Sequence, residues 1–402
     1  MQKLEFTLSA GPVEVTAATL AGLAKPIQYH YDDDFKATFR RVQEKTAEIL
    51  QTRNDVLILQ GEAILGLEGA LKSLVTPGMK VLNLVQGIFG KGTGYWLRDF
   101  GAEVHELEVG YDDAVTPEMV EEFLDAHPSI EMVCLVASET PSGTVTDVSR
   151  IGPMCRDRGI LTYVDTVSGV LGMEHRTDDW GLDLCVTGPQ KCLGGAPGLS
   201  LISVSQRAWD KIYSNPAAPR DSYLSLLDWK EKWLGDGRFP YTPSVSDING
   251  LEAALDQALA EGIDQVIQRH VDARELTKAG ARAMGLEFWA RREESMSACV
   301  TSIRLPDDID NAEVRDLARS KYGVMFSHGQ GAGNLIRLSH MGSTAGGFHS
   351  IVGLTALGRT LLDLGMKLDL GMKLDVGAGV DAALEVLSEQ RGRQRSAADA
   401  LV

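Results

Sequence analysis

The stretch Leu182–Ser200, "LDLCVTGPQKCLGGAPGLS", runs from an apolar segment to one lysine, Lys191, and then into glycine and proline. The apolar part has the length and composition of a buried strand, and "GGAPG" forces a tight backbone that cannot continue as a helix. A lysine at the mouth of such a turn can lose its charge and form a Schiff base with a carbonyl compound. The alternative is a solvated surface lysine. Working outward, "DVLILQG" (Asp55–Gly61), "KVLNLVQG" (Lys80–Gly87), "EMVCLVAS" (Glu131–Ser138) and "ILTYVD" (Ile160–Asp165) have the same form, with helical patterns between most of them. Fully apolar strands alternating with helices predict an α/β fold with a mostly parallel sheet covered on both faces. In such sheets ligands lie beyond the carboxyl ends of the strands, so the site residues are expected just after these runs.

The chain of 402 residues is 44% hydrophobic and 24% charged, and that length exceeds one ordinary domain. We expect a large domain over residues 1–250 and a smaller α+β domain over 251–402, with residues 1–15 packing near the smaller one. "DINGLEAALDQALAEGIDQVIQRHVDARELTKAGARAMG" (Asp247–Gly285) keeps a helical period long enough to bridge the two. A net charge of -17 argues against nucleic-acid or anionic-membrane partners, which need a basic face. No apolar run reaches the roughly 18–20 residues of a membrane helix, and the first residues lack a secretory pattern, so a cytoplasmic protein is expected. The five scattered cysteines read as reduced core thiols, with no metal site. The duplicated "LDLGMK" (Leu362–Lys373) reads as a surface segment without chemistry, and "SEQRGRQRSAADALV" (Ser388–Val402) as a frayed tail.

Three further pieces accompany Lys191. Asp165 ends a strand, where a carboxylate can hold a proton on a pyridine nitrogen and make that ring an electron sink; its other role would be a helix N-cap. "SETPSGTV" (Ser138–Val145) offers the hydroxyls of Thr140 and Ser142, and "QGIFGKGTGYW" (Gln86–Trp96) offers Phe89 for stacking on an aromatic ring. Its glycines have neither the dinucleotide nor the P-loop spacing, which argues against a nicotinamide dehydrogenase.

Together with "LSAGPVEV" (Leu8–Val15), "FPYTPSVSDINGLEAAL" (Phe239–Leu255) and "RLSHMG" (Arg337–Gly342), these motifs resemble the class V aminotransferases of the fold type I pyridoxal enzymes over nearly the whole chain. The resemblance implies a Schiff base and proton transfer on Lys191, with Asp165 the second catalytic residue. It also implies ring contacts from Glu62, Phe89, Thr140 and Gln190, and substrate contacts from Tyr31, Glu62 and Arg337, the arginine gripping a carboxylate. Within the family the chain is most similar to the branch that uses free pyridoxamine, with pyruvate as the expected 2-oxo acid and L-alanine as product. Phosphate-using relatives carry a tyrosine where this chain has Phe239, and Glu62 stands in the loop "QGEAILGLEGAL" that would face a phosphate. The expected ligand is therefore pyridoxamine or pyridoxal bound as substrate. Pyridoxal 5′-phosphate, in an enzyme of the alanine–glyoxylate or serine–pyruvate type, is the alternative. Where the pyridoxamine branch has a second substrate arginine, this chain reads "FSHGQGAGNLIRL" with Gln330, and His328 is the nearest substitute. His340 is expected to pack a turn. A lyase or desulfurase would need a mobile cysteine, and Cys192 is expected to be buried. The family builds its site at a subunit interface, so at least a homodimer is expected, with a homotetramer the alternative.

Overall fold

The computed structural model describes residues 6–366 and 374–399. Seven strands form the central sheet: β1 (Asp55–Gln60), β2 (Lys80–Val85), β3 (Glu103–Glu108), β4 (Met132–Val136), β5 (Leu161–Asp165), β6 (Leu184–Thr187) and β7 (Leu199–Val204). Their order is β1-β7-β6-β5-β4-β2-β3, with β7 antiparallel to both of its neighbours and the other pairings parallel. The five apolar runs are all strands. Two strands go beyond them: β3, a half-exposed edge strand whose "EVHELE" lacks an apolar run, and β7.

Alternation within single strands shows why the runs are apolar throughout. Met132 and Cys134 of β4 enter one core, while Val133 and Leu135 enter another on the opposite face. Both faces are covered, so neither parity of residue can be polar. The helices that matter to the site follow β1 and β2: α1 (Ala63–Leu74) and α2 (Ile88–Asp99).

The expected long helix is two helices, α3 (Val245–Glu261) and α4 (Ile263–Ala283), separated at Gly262, whose φ of 92° lies where few other residues go. A second sheet follows, of β8 (Val300–Arg304), β9 (Ser327–His328) and β10 (Leu335–Ser339), antiparallel in the order β8-β10-β9. With α4, α5 (Gly347–Asp363) and α6 (Val376–Asp399) it encloses a separate core that includes Leu276, Ile303, Ile336, Leu338, Leu354 and Leu357. The tail expected to fray is instead helical to Asp399, and the amide of its Gln390 donates to the Asp272 carbonyl on α4. Alanine, glutamine and arginine favour helix once one face is docked. The second copy of the duplicated hexapeptide lies outside the described residues, while the first ends α5 and continues to Met366.

The segment from Phe6 to Val15 connects the two cores. Phe6–Thr7 pairs with Val324–Met325, and Leu8 packs into the second core. Val13 belongs to the first core, and its N–H donates to the Gln190 carbonyl at 3.1 Å.

Candidate active site

Three adjacent strands end side by side. Register pairs Val136 of β4 with Asp165 of β5, and Asp165 with Val186 of β6. The chain leaving each of these ends therefore delivers Ser138–Thr140, Asp165–Ser168 and Gly188–Lys191 to one place, and the ends of β1 and β2 add Glu62 and Phe89. Glu62, Phe89, Thr140, Asp165 and Lys191 line a single pocket of about 120 Å³, with Ser138 and Ser168 among their neighbours. Larger clefts elsewhere on the surface contain none of these five residues.

Lys191 lies in the turn after β6. Its Nζ donates to the carbonyl of Ala10 at 2.6 Å. Burial, and then the positive charge of Arg337, lower its pKa, which favours the neutral, nucleophilic amine. Asp165 is buried, and its Oδ1 accepts from the Val167 N–H at 3.0 Å. It thus caps the turn as well as facing the pocket. Burial pushes its carboxyl up to about 6, against the downward pull of Lys191.

Glu62 is the N-cap of α1. Its Oε2 accepts from Ile64 N–H at 2.9 Å, and its Oε1 accepts from the Gln190 amide at 2.5 Å. The helix N-terminus, the place where a backbone would receive an added anion, already holds a carboxylate. Gln190 is buried, and its Oε1 has no hydrogen-bond partner. Thr140 is buried, with its Oγ1 3.2 Å from Ser168 Oγ. Ser142 points away, to Thr144 Oγ1 at 2.8 Å, and shapes the loop.

Arg337, on β10, is 4% exposed and has no ion-pair partner among the described residues; its Nε has no hydrogen bond. Desolvation alone pushes its pKa down to about 10. A guanidinium buried without an anion is a costly arrangement that an incoming carboxylate relieves through paired hydrogen bonds. Its register partners on the same face are Ser302 and Ser327.

Five other residues singled out in the sequence are placed as follows. Tyr31 does not reach this pocket: it is 50% exposed and packs with Tyr29 and His30. Phe239 is buried in an aromatic cluster, stacked on Trp233 at 4.2 Å, so it offers the pocket neither a hydroxyl nor a ring. His328 pairs with Ile336 and so sits on the strand face opposite Arg337, with its Nδ1 accepting from the Gln330 N–H. It does not replace a second arginine. His340 is fully buried between Thr301 and the Ala298 carbonyl, as a packing residue. Cys192 is buried, 3.4 Å from Cys299.

Two contributors escaped the sequence reading. Ala10 supplies the carbonyl that holds Lys191, and its N–H donates to Ser327 Oγ at 3.0 Å. Glu139, inside the quoted "SETPSGTV", is a fully buried carboxylate whose burial pushes it up to about 7. Its residue type, an acid inside an otherwise apolar and hydroxylic loop, was the available signal.

The donor set fits a pyridine ring bearing a carbonyl or amine. A buried carboxylate is present for the ring nitrogen, an amine with lowered pKa for the carbonyl carbon, and an apolar wall at Phe89 and Val167 for the ring faces. The unpartnered Arg337 adds a place for a carboxylate.

Residues 17–345 match the family Aminotransferase class-V. The chain is 43% identical, over 90% of its length and 93% of the relative's, to a pyridoxamine–pyruvate transaminase of Mesorhizobium japonicum. It is 30% identical, over 84% of its length and 87% of the relative's, to an alanine–glyoxylate aminotransferase of Drosophila melanogaster. The crystal structure of pyridoxamine–pyruvate aminotransferase from Mesorhizobium loti superposes with a TM-score of 0.93 at 42% identity, covering 97% of this chain and 98% of that one.

Proposed function

Because the chain belongs to the class V aminotransferase family and has its fold type I architecture, we propose that it is the transaminase that moves an amino group from free pyridoxamine to a small 2-oxo acid. Pyruvate is the proposed acceptor, giving pyridoxal and L-alanine, in the breakdown of vitamin B6. The observation that carries the choice of free over phosphorylated amine is Glu62, whose carboxylate lines the pocket and is fixed between Ile64 N–H and the Gln190 amide.

When bound, the pyridoxal-type ring supplies the electron sink that the amino-group exchange requires. Asp165 would keep a proton on the ring nitrogen, and its own burial makes that pairing favourable. Lys191 would hold the carbonyl end and, once released, carry a proton on Nζ between the two carbon centres. The Ala10 carbonyl orients that nitrogen. Arg337 would bind the carboxylate of the oxo acid, and Phe89 would cover a ring face. We further propose a large domain over residues 1–250 and a small one over 251–402, a cytoplasmic location, and a homodimer in which Tyr31 serves the partner's pocket. The support for this last point is the exposed apolar group Ile27, Tyr29 and Tyr31.

The test is to compare kcat/KM for pyridoxamine and pyridoxamine 5′-phosphate. A carboxylate about 4 Å from a phosphate charge costs roughly 4 kcal/mol at an effective dielectric of about 20, which corresponds to roughly a thousandfold preference for the free amine at about 1.4 kcal/mol per factor of ten. Glu62→Ala should narrow that gap. A wild type that prefers the phosphorylated amine would return the chain to the phosphate-dependent alanine–glyoxylate reading, with Glu62 only a helix cap.

A further inference from the structure

Glu139 has no part in the chemistry above, yet it is a carboxylate with no exposed surface, directly behind the pocket wall. Its Oε1 accepts from the Gly90 N–H at 2.6 Å and its Oε2 from the Phe89 N–H at 3.3 Å, both in the first turn of α2. The first N–H groups of a helix have no partner within it, so this carboxylate fixes where the turn begins and takes up its positive end. The fit leaves no slack. A Cβ on Gly87 would lie 2.5 Å from Glu139 Cδ, and one on Gly90 would lie 2.7 Å from the Leu84 carbonyl. The other end of the residue is equally fixed: its carbonyl accepts from the Gly143 N–H at 2.8 Å and from Ser142 Oγ at 3.3 Å. The charged neighbour acting on Glu139 is Asp165, which lines the pocket. Among the described residues, no hydrogen bond joins Phe89 to the strand ends that bear Asp165 and Thr140 other than the one to this carboxylate.

We propose that Glu139 is a positioning residue that locks the Phe89 wall in register with Asp165, so that the ring of a pyridoxal-type ligand is gripped at the correct height. The inference rests on the ring site of the proposed function, and it predicts a defect in ring binding that is separable from binding of the oxo acid. Glu139→Gln keeps the shape and one accepting oxygen but turns an NH2 group toward one of the two backbone donors.

The experiment titrates wild type and Glu139→Gln with pyridoxal, following the induced circular dichroism of the bound ring, and measures KM for pyruvate separately. Glu139→Gln should weaken pyridoxal binding about tenfold, the scale of one misplaced aromatic contact, and should shrink the induced signal while leaving the KM for pyruvate unchanged. In a Phe89→Ala background the same substitution should have little further effect on pyridoxal affinity, because its route has been removed. Gly87→Ala, which displaces the carboxylate without deleting it, should reproduce the defect and serves if Glu139→Gln does not fold. Unchanged pyridoxal affinity in the variant that folds, or an equal loss in the Phe89→Ala background, overturns the inference. A wild type that binds neither pyridoxal nor its phosphate instead overturns the ring site on which the inference rests.

Discussion

Arg337 is a charge held out of water with no partner among the described residues, and this sets stability against function. Arg337→Met should leave the melting temperature of the ligand-free protein unchanged or raise it, since an unpaired buried charge is replaced by packing of similar volume. The same variant should lose the oxo acid: KM for pyruvate is expected to rise about a hundredfold, the scale of a paired charged hydrogen bond, with pyridoxamine affinity nearly unchanged. Thermal melts and steady-state kinetics on one preparation check both halves. Asp165 gives the complementary prediction. Burial holds its pKa in the folded chain at about 6, above the roughly 3.9 of an ordinary aspartate, so the folded chain binds the extra proton. The stability of the ligand-free protein should therefore fall as pH rises between those values, and Asp165→Asn should flatten that slope. The acid limb of kcat/KM for pyridoxamine should have its midpoint near the same value, because the ring needs the ionised carboxylate. Asp165 and Lys191 were legible in sequence because one ends an apolar strand and the other stands in the turn just after one, where a charge needs a reason, while Arg337 was legible only through the family motif "RLSHMG". Tyr31 rests on the family resemblance alone: within one subunit its neighbours in the chain carry it to the surface.

At the scale of elements, the strands buried on both faces could be read directly, while β3 could not, because an edge strand has no need of an apolar run. The long helical pattern was read as one helix because periodicity survives a break; only the backbone at Gly262 reveals it. The segment Leu8–Val15 was legible as a motif that packs near the smaller domain, but not in its hold on Lys191, since that partner is far away in sequence. That hold makes Gly11 a sensitive position. Its φ is 92°, and an added Cβ would lie 2.5 Å from Lys191 Nζ. Gly11→Ala should push the segment off the lysine, costing about 1–2 kcal/mol of stability and at least tenfold in turnover through the misplaced amine. Differential scanning calorimetry and single-turnover rates measure the two effects. A loss of stability with full turnover would show that the Ala10 contact does not position Lys191.

For the whole molecule, the exposed Ile27, Tyr29 and Tyr31 form an apolar surface that a second copy would bury. Mixing decides whether Tyr31 serves its own pocket or its partner's. If the proposed homodimer forms, Lys191→Ala and Tyr31→Ala should each be impaired alone. Refolded together, they should recover activity, because one pocket of each hybrid would again pair an intact lysine with an intact tyrosine from the other subunit. Absence of recovery, with hybrid formation shown by native mass spectrometry, would show that Tyr31 does not serve the partner's pocket.

The Leu8–Val15 bridge also bears on how the chain is made. Ala10 leaves the ribosome well before Lys191, and Lys191 well before Ser327 and Ser339, yet the segment is fastened to all of them. While translation continues, this apolar strip has nowhere to dock, and the pocket cannot assemble on the nascent polypeptide however much of the central sheet has already formed. The first residues synthesised are thus among the last to be secured, and a ribosome-stalled chain ending before β9 should carry a formed sheet, a protease-sensitive leading segment and no capacity to capture pyridoxal.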